Sequence, residues 1–131
     1  MGGWGTGSFE NEDAQDFLGQ LKSLGIDDLR QILARAADQC DYAEARESSV
    51  AIAVAEVIAA LKGMPASKIP REIADWTSAT SGGYSADLDE LARRAVSKIR
   101  SNSELKDLWL EADGLNEWSA GLRDLEQRLG S

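Results

Sequence analysis

Along most of this chain apolar side chains recur every three or four residues, the spacing of one face of an α-helix. Asn11 is a good helix N-cap, Glu12 and Asp13 fall in the first turn where the helix dipole favours anions, and Ala14, Phe17, Leu18 and Leu21 then form an apolar stripe. The pattern predicts a first helix stopped at Gly25. A second, capped by Asp27 or Asp28, carries Leu29, Ile32, Leu33, Ala36 and Cys40 as one stripe, so the two read as a helical hairpin.

A third helix is predicted from Tyr42 to Lys62. Its Val50 to Leu61 stretch is apolar on nearly every side, the pattern of a helix covered by neighbours all round. Ala51, Ala53, Ala55, Ala59 and Ala60 allow those neighbours to approach closely, and Gly63 and Pro65 end the helix. Pro70 suits the first turn of a short fourth helix running to about Thr77 with Ile73 and Trp76 inward, and residues 78–83 read as a loop. From Ser85 or Asp87 a fifth helix carries Leu88, Leu91, Ala92, Ala95, Val96 and Ile99. A sixth follows Asn102 and Ser103, with Leu105, Leu108, Trp109 and Ala112 facing one way, and Asp113-Gly114 marks a break. The last segment places Leu115, Trp118, Leu122, Leu125 and Leu129 on one seam, suited to a core or to a partner helix, so a homo-oligomer built on it is one expectation.

A chain of 131 residues is long enough for one domain with its own core. Its hydrophobic fraction is mostly Ala and Leu, with β-branched and aromatic residues sparse, which favours helix over sheet. The expectation is an all-α, compact bundle of five to seven helices formed by residues 1–131 as a single domain. Residues 1–10, rich in Gly and Trp, form an irregular strap in which Trp4 is a structural anchor in a pocket of the bundle and the glycines let backbones approach. A phosphate-binding loop is disfavoured, since residues 2–7 follow no strand and contain no cation.

Gly3-Trp4-Gly5-Thr6-Gly7, Phe9-Glu10-Asn11, Ala14 and Asp16-Phe17, with Ala53-Val54-Ala55-Glu56 in the middle, resemble domain-of-unknown-function family 4259, a set of small bacterial proteins. The Ser103-Glu104-Leu105-Lys106-Asp107-Leu108-Trp109 run, Trp118 and the Arg128-Leu129 ending match it too, so the resemblance covers essentially the whole chain. It implies a helical single domain and brings no activity, substrate or cofactor with it. Leu110 departs from it, standing where a polar residue is expected after the Leu-Trp pair.

Charge narrows the choice of partner. Fourteen Lys and Arg against twenty-three Asp and Glu give a net charge of −9, which repels nucleic acid and anionic membranes at long range and favours a basic protein. Cys40 is the only cysteine, so no intramolecular disulfide forms, and with no secretory signal the chain reads as cytoplasmic. Met1-Gly2 with Thr6 meets the loose myristoylation pattern, but the nearby charges are acidic where one lipid chain would want a basic patch. Zinc, copper and haem sites of the usual kinds are disfavoured without His, and Asn11, Glu12, Asp13 and Asp16 lack the mid-loop Gly and terminal Glu of a calcium loop. No metal or cofactor is expected, and no catalytic residue is nominated: there is no histidine base, nucleophile elbow or paired-carboxylate motif.

Two features stand out as candidate sites. Glu56, inside the apolar stretch of the third helix, needs a partner: Arg93, Arg94, or, as favoured here, the strap's backbone N–H groups and the Trp4 indole. That makes it a structural anchor. On the sixth helix Glu104, Asp107 and Glu111 share one face, suited to solvent or to docking a basic partner. The leading expectation is a non-catalytic protein-interaction module, of the inhibitor or immunity type. The alternative is a small helical enzyme or small-molecule-binding domain with a pocket around Glu56.

Overall fold

The computed structural model describes residues 8–9, 11–38, 44–66, 69–80 and 85–130. Among these, seven α-helices run in chain order: α1 (Glu12–Gln20), α2 (Ile26–Asp38), α3 (Ala45–Lys62), α4 (Arg71–Ala79), α5 (Ala86–Ser101), α6 (Glu104–Glu111) and α7 (Leu115–Gly130). A 3-10 turn at Leu21–Ser23 lies between α1 and α2, and no strand occurs among the described residues. The fold is therefore all-α. The strap anchor Trp4 and the stripe residue Cys40 lie outside the described residues.

Helix α3 is the hub. It packs against α1, α2, α4, α5, α6 and α7. Eleven consecutive residues, Ser49 to Ala59, are buried except Val50, which is half-buried, as its all-round apolar pattern demands. Burial at that scale is the main stabilising term, each Val, Leu or Ile side chain contributing about 1.5–3 kcal/mol. Helices α2 and α7 flank α5, which also lies on α3. The seam of α7 closes this core: Trp118, Leu122, Leu125 and Leu129 are buried within the chain itself, and Leu115 is half-buried.

Helix ends follow local chemistry with some shifts from expectation. The Asn11 side chain caps α1 by accepting from Ala14 N–H, but α1 ends at Gln20, short of Gly25, because Leu21 to Ser23 tighten into the 3-10 turn and bury Leu21. Helix α2 starts one residue before Asp27, with Asp28 Oδ2 accepting the Gly25 N–H at 2.8 Å from inside the first turn. Glu44 is extended, so α3 begins at Ala45 rather than Tyr42. Its end is a Schellman turn: Gly63 sits at φ 99° while Gly63 and Met64 N–H donate to the Ala60 and Ala59 carbonyls. Helix α4 runs two residues past Thr77, and its Trp76 indole N–H donates to the Leu24 carbonyl at 3.0 Å.

Candidate functional site

The face of α7 toward α3 and α5 holds most of the buried charge. Glu56, 4% exposed on α3, receives two hydrogen bonds from Arg128 of α7: Nη1 to Oε1 at 2.9 Å and Nη2 to Oε2 at 3.3 Å. Ser8 adds a third, its Oγ–H donating to Oε2 at 2.7 Å. Arg128 also reaches Asp124 through Nε at 2.9 Å, and the Met64 carbonyl at 3.3 Å. Burial works against the Arg128 charge, but the bonds and charges of Glu56 and then Asp124 outweigh it and hold the guanidinium above its ordinary range.

The partner of Glu56 is thus neither Arg93 nor Arg94. Those two point to solvent-exposed acids, Glu90 and Asp38. The Trp4 indole and most of the strap's backbone N–H groups lie outside the described residues, and the one strap contact to Glu56 among the described residues is a side chain that was not anticipated, the Ser8 hydroxyl. Arg128 lies 72 residues from Glu56, and helical periodicity alone does not say which residues of two distant helices meet. The signal available was the Arg128-Leu129 ending, one of the runs that carried the family resemblance.

Two further links tie the same helices. Lys62, at the end of α3, lies 3.8 Å from Asp89 of α5 and donates to the Leu129 carbonyl at 2.7 Å, so a cation meets the negative end of α7. Arg100 of α5 donates through Nε to Glu126 of α7 at 2.7 Å, and this bond holds its pKa above the ordinary guanidinium range despite burial. These pairs join α3, α5 and α7 through their charged side chains.

The acidic face of α6 lies outside this network. Glu104, Asp107 and Glu111 are exposed, while Leu105 is buried on the opposite side and caps of both kinds hold the helix start: Ser103 Oγ accepts the Lys106 N–H at 3.0 Å and donates to the Ile99 carbonyl at 2.7 Å. Glu104 has an internal role that its sequence position concealed. Its Oε1 accepts the Ala45 N–H at 2.8 Å, capping α3, whose own N-cap residue Glu44 makes no side-chain bond. Leu110 is 57% exposed, more than any other large apolar residue described. It sits one turn after Asp107 and directly before Glu111.

Described residues line cavities at several places on the fold. One of about 480 Å³ lies between α1 and α4 over Leu18 and Trp76, and one of about 250 Å³ lies between α2 and α3 over Ile32 and Val50. Another, of about 590 Å³, lies where α5, α6 and α7 meet, over Arg100, Lys106 and Arg123. Glu56 lines none of these three. Among the described residues no group of three or more His, Cys, Asp or Glu side chains is arranged to hold a metal ion, and no helix is long and apolar enough to cross a membrane.

No curated protein and no solved structure matches the chain. One family model does, a domain of unknown function (DUF4259), over residues 2–121 of 131. That stretch takes in the glycine-rich start, all of α3 with Glu56, and the whole of α6, so the chain belongs to the DUF4259 family.

Proposed function

We propose that this protein is a non-catalytic protein-interaction module that receives a basic partner on the outer face of α6, in the manner of an inhibitor or immunity protein. The observation that carries the reading is the exposed Leu110 next to exposed Asp107 and Glu111, with exposed Glu104 a further turn back on the same helix. An apolar side chain with carboxylates on one flank offers both parts of a recognition site. Covering Leu110 would contribute about 1.5–3 kcal/mol, and the carboxylates would raise the association rate and select against acidic proteins. The chain carries twenty-three Asp and Glu against fourteen Lys and Arg, so acid remains in surplus however the cations pair.

Glu56 serves in this reading as a structural anchor. Both of its oxygens accept hydrogen bonds from Arg128 and Ser8, which supports the anchor over the alternative of an enzyme or binding domain built around it.

The test is an affinity pull-down from host lysate at low and moderate salt, comparing the wild-type chain with two variants. The first reverses Glu104, Asp107 and Glu111 to Lys. The second reverses only Asp107 and Glu111 and carries Leu110→Ser, leaving the Glu104 cap intact. A basic protein held by wild type, released by salt and lost in both variants supports the module. Equal retention by all three chains overturns it.

A further inference from the structure

In a chain of net charge −9, three cations line one cavity without a carboxylate among its lining residues. Arg100 and Ser101 reach it from the end of α5, Lys106 from the first turn of α6, and Asn116, Ser119 and Arg123 from successive turns of α7. We propose that this cavity is a binding site for a small phosphoryl anion, either inorganic phosphate or a compact phosphate monoester.

Each wall contributes in a definable way. Arg123 is exposed and forms no ion pair with any described residue, so its five N–H donors are available to a ligand. Lys106 is half-buried and donates to the Ser101 carbonyl at 3.1 Å, a bond that orients its ammonium and leaves two protons for a further acceptor. Arg100 is held by Glu126 through Nε and Nη2, which fixes its plane at the cavity wall and offsets its charge, so Lys106 and Arg123 carry most of the attraction. Ser101, Asn116 and Ser119 add neutral polar groups. The start of α7 opens on the same space, and its first N–H groups have no intrahelical acceptors; the preceding Gly114 has no side chain to cap them.

The end of α5 would oppose an anion if its terminal carbonyls were bare. Four of them accept hydrogen bonds, Lys98 O from Asn102 N–H, Ser97 O from Ser101 Oγ, Ile99 O from Ser103 Oγ and Ser101 O from Lys106, which lessens that opposition.

Size and charge select the ligand. A cavity of about 590 Å³ falls within the range of about 300–1,000 Å³ usual for small-molecule sites. A polyanion such as nucleic acid would extend beyond it onto a surface of opposite preference, because the chain as a whole repels phosphate backbones. Arg and Lys match phosphoryl oxygens in geometry and charge, and a dianion gains more from several cations than a carboxylate does. Leu110, Glu104, Asp107 and Glu111 are not among the residues lining this cavity, although Lys106 borders Leu110 one turn along α6.

Calorimetric titration of the full chain with inorganic phosphate, glycerol phosphate and acetate tests the site, alongside nitrogen–proton correlation spectra that follow the Asn116, Ser119 and Arg123 amides. Saturable phosphate or glycerol phosphate binding that shifts these amides, with acetate at least about tenfold weaker, is the expected result. Arg123→Gln and Lys106→Gln should each weaken it about tenfold, while Arg71→Gln, on distant α4, leaves it unchanged. Tighter binding of glycerol phosphate than of phosphate would assign the remaining space to an organic substituent. The proposal is overturned if neither phosphate saturates, if acetate binds equally, or if Arg123→Gln and Lys106→Gln bind as wild type does. Arg123 is exposed, so a circular dichroism spectrum matching wild type ensures that its loss of binding reports the site and not the fold.

Discussion

Replacing Arg128 by Met removes the cation from a carboxylate that cannot reach bulk water. The Arg128 and Glu56 side chains are 12% and 6% exposed, so solvent screens little of their interaction. Breaking such a buried pair from one side costs about 3–5 kcal/mol, since it leaves a desolvated charge. The Ser8 hydroxyl still donates to Glu56 at 2.7 Å and offsets about 1 kcal/mol, which sets the expected loss at about 2–4 kcal/mol. Asp124, 66% exposed, returns to water without penalty. For 131 residues a loss of about 3 kcal/mol lowers Tm by roughly 10 °C. Glu56→Leu alone strands a buried guanidinium and should cost a similar amount, whereas the double variant fills the space with apolar atoms and recovers most of the loss. Urea unfolding followed at 222 nm across this cycle gives the coupling energy. Additive effects, or single variants each costing under about 1 kcal/mol, would refute a tight buried pair. The raised Arg128 pKa fixes the alkaline behaviour: the guanidinium's contribution is complete below its ordinary titration range and is lost only as pH climbs beyond it, so Tm should show no step from this group between about pH 6 and 10.

Other expectations follow from single side chains. Glu104→Ala should lower Tm by about 4 °C through loss of the cap on α3, corresponding to about 1 kcal/mol, measured by differential scanning calorimetry. Gly63→Ala meets no atom within 4 Å, yet at φ 99° the added Cβ strains the backbone, so chemical denaturation should show a loss of about 1–2 kcal/mol. Ser48, 1% exposed with no partner for its hydroxyl among the described residues, should become Ala with no loss of stability or a gain of up to about 1 kcal/mol in the same assay.

Period and burial made the helices legible. The seam from Leu115 to Leu129 and the all-round apolar run of α3 specify which faces turn inward, and the structure buries those faces. Leu110, which stands where the family resemblance leads one to expect a polar residue, is exposed. What stayed hidden required knowing the rotation of one helix against another. Glu104 reads as one member of an acidic stripe until α6 is set beside the start of α3, 59 positions earlier, where it becomes a cap. Arg100, Lys106 and Arg123 are separated by six and seventeen positions along the chain and gather only when α5, α6 and α7 meet at one corner. Cations scattered among acids give no local signal. The partner of Glu56 was hidden for the same reason.

The distance in sequence between Glu56 and Arg128 also bears on how the protein is made. At roughly 5–20 residues per second, a ribosome takes about 4–14 s to add the 72 residues that separate them. Until Arg128 has been added, the Glu56 carboxylate lacks the cation that balances its burial in the finished structure. The pair therefore couples the closing of α3 into this core to the synthesis of α7.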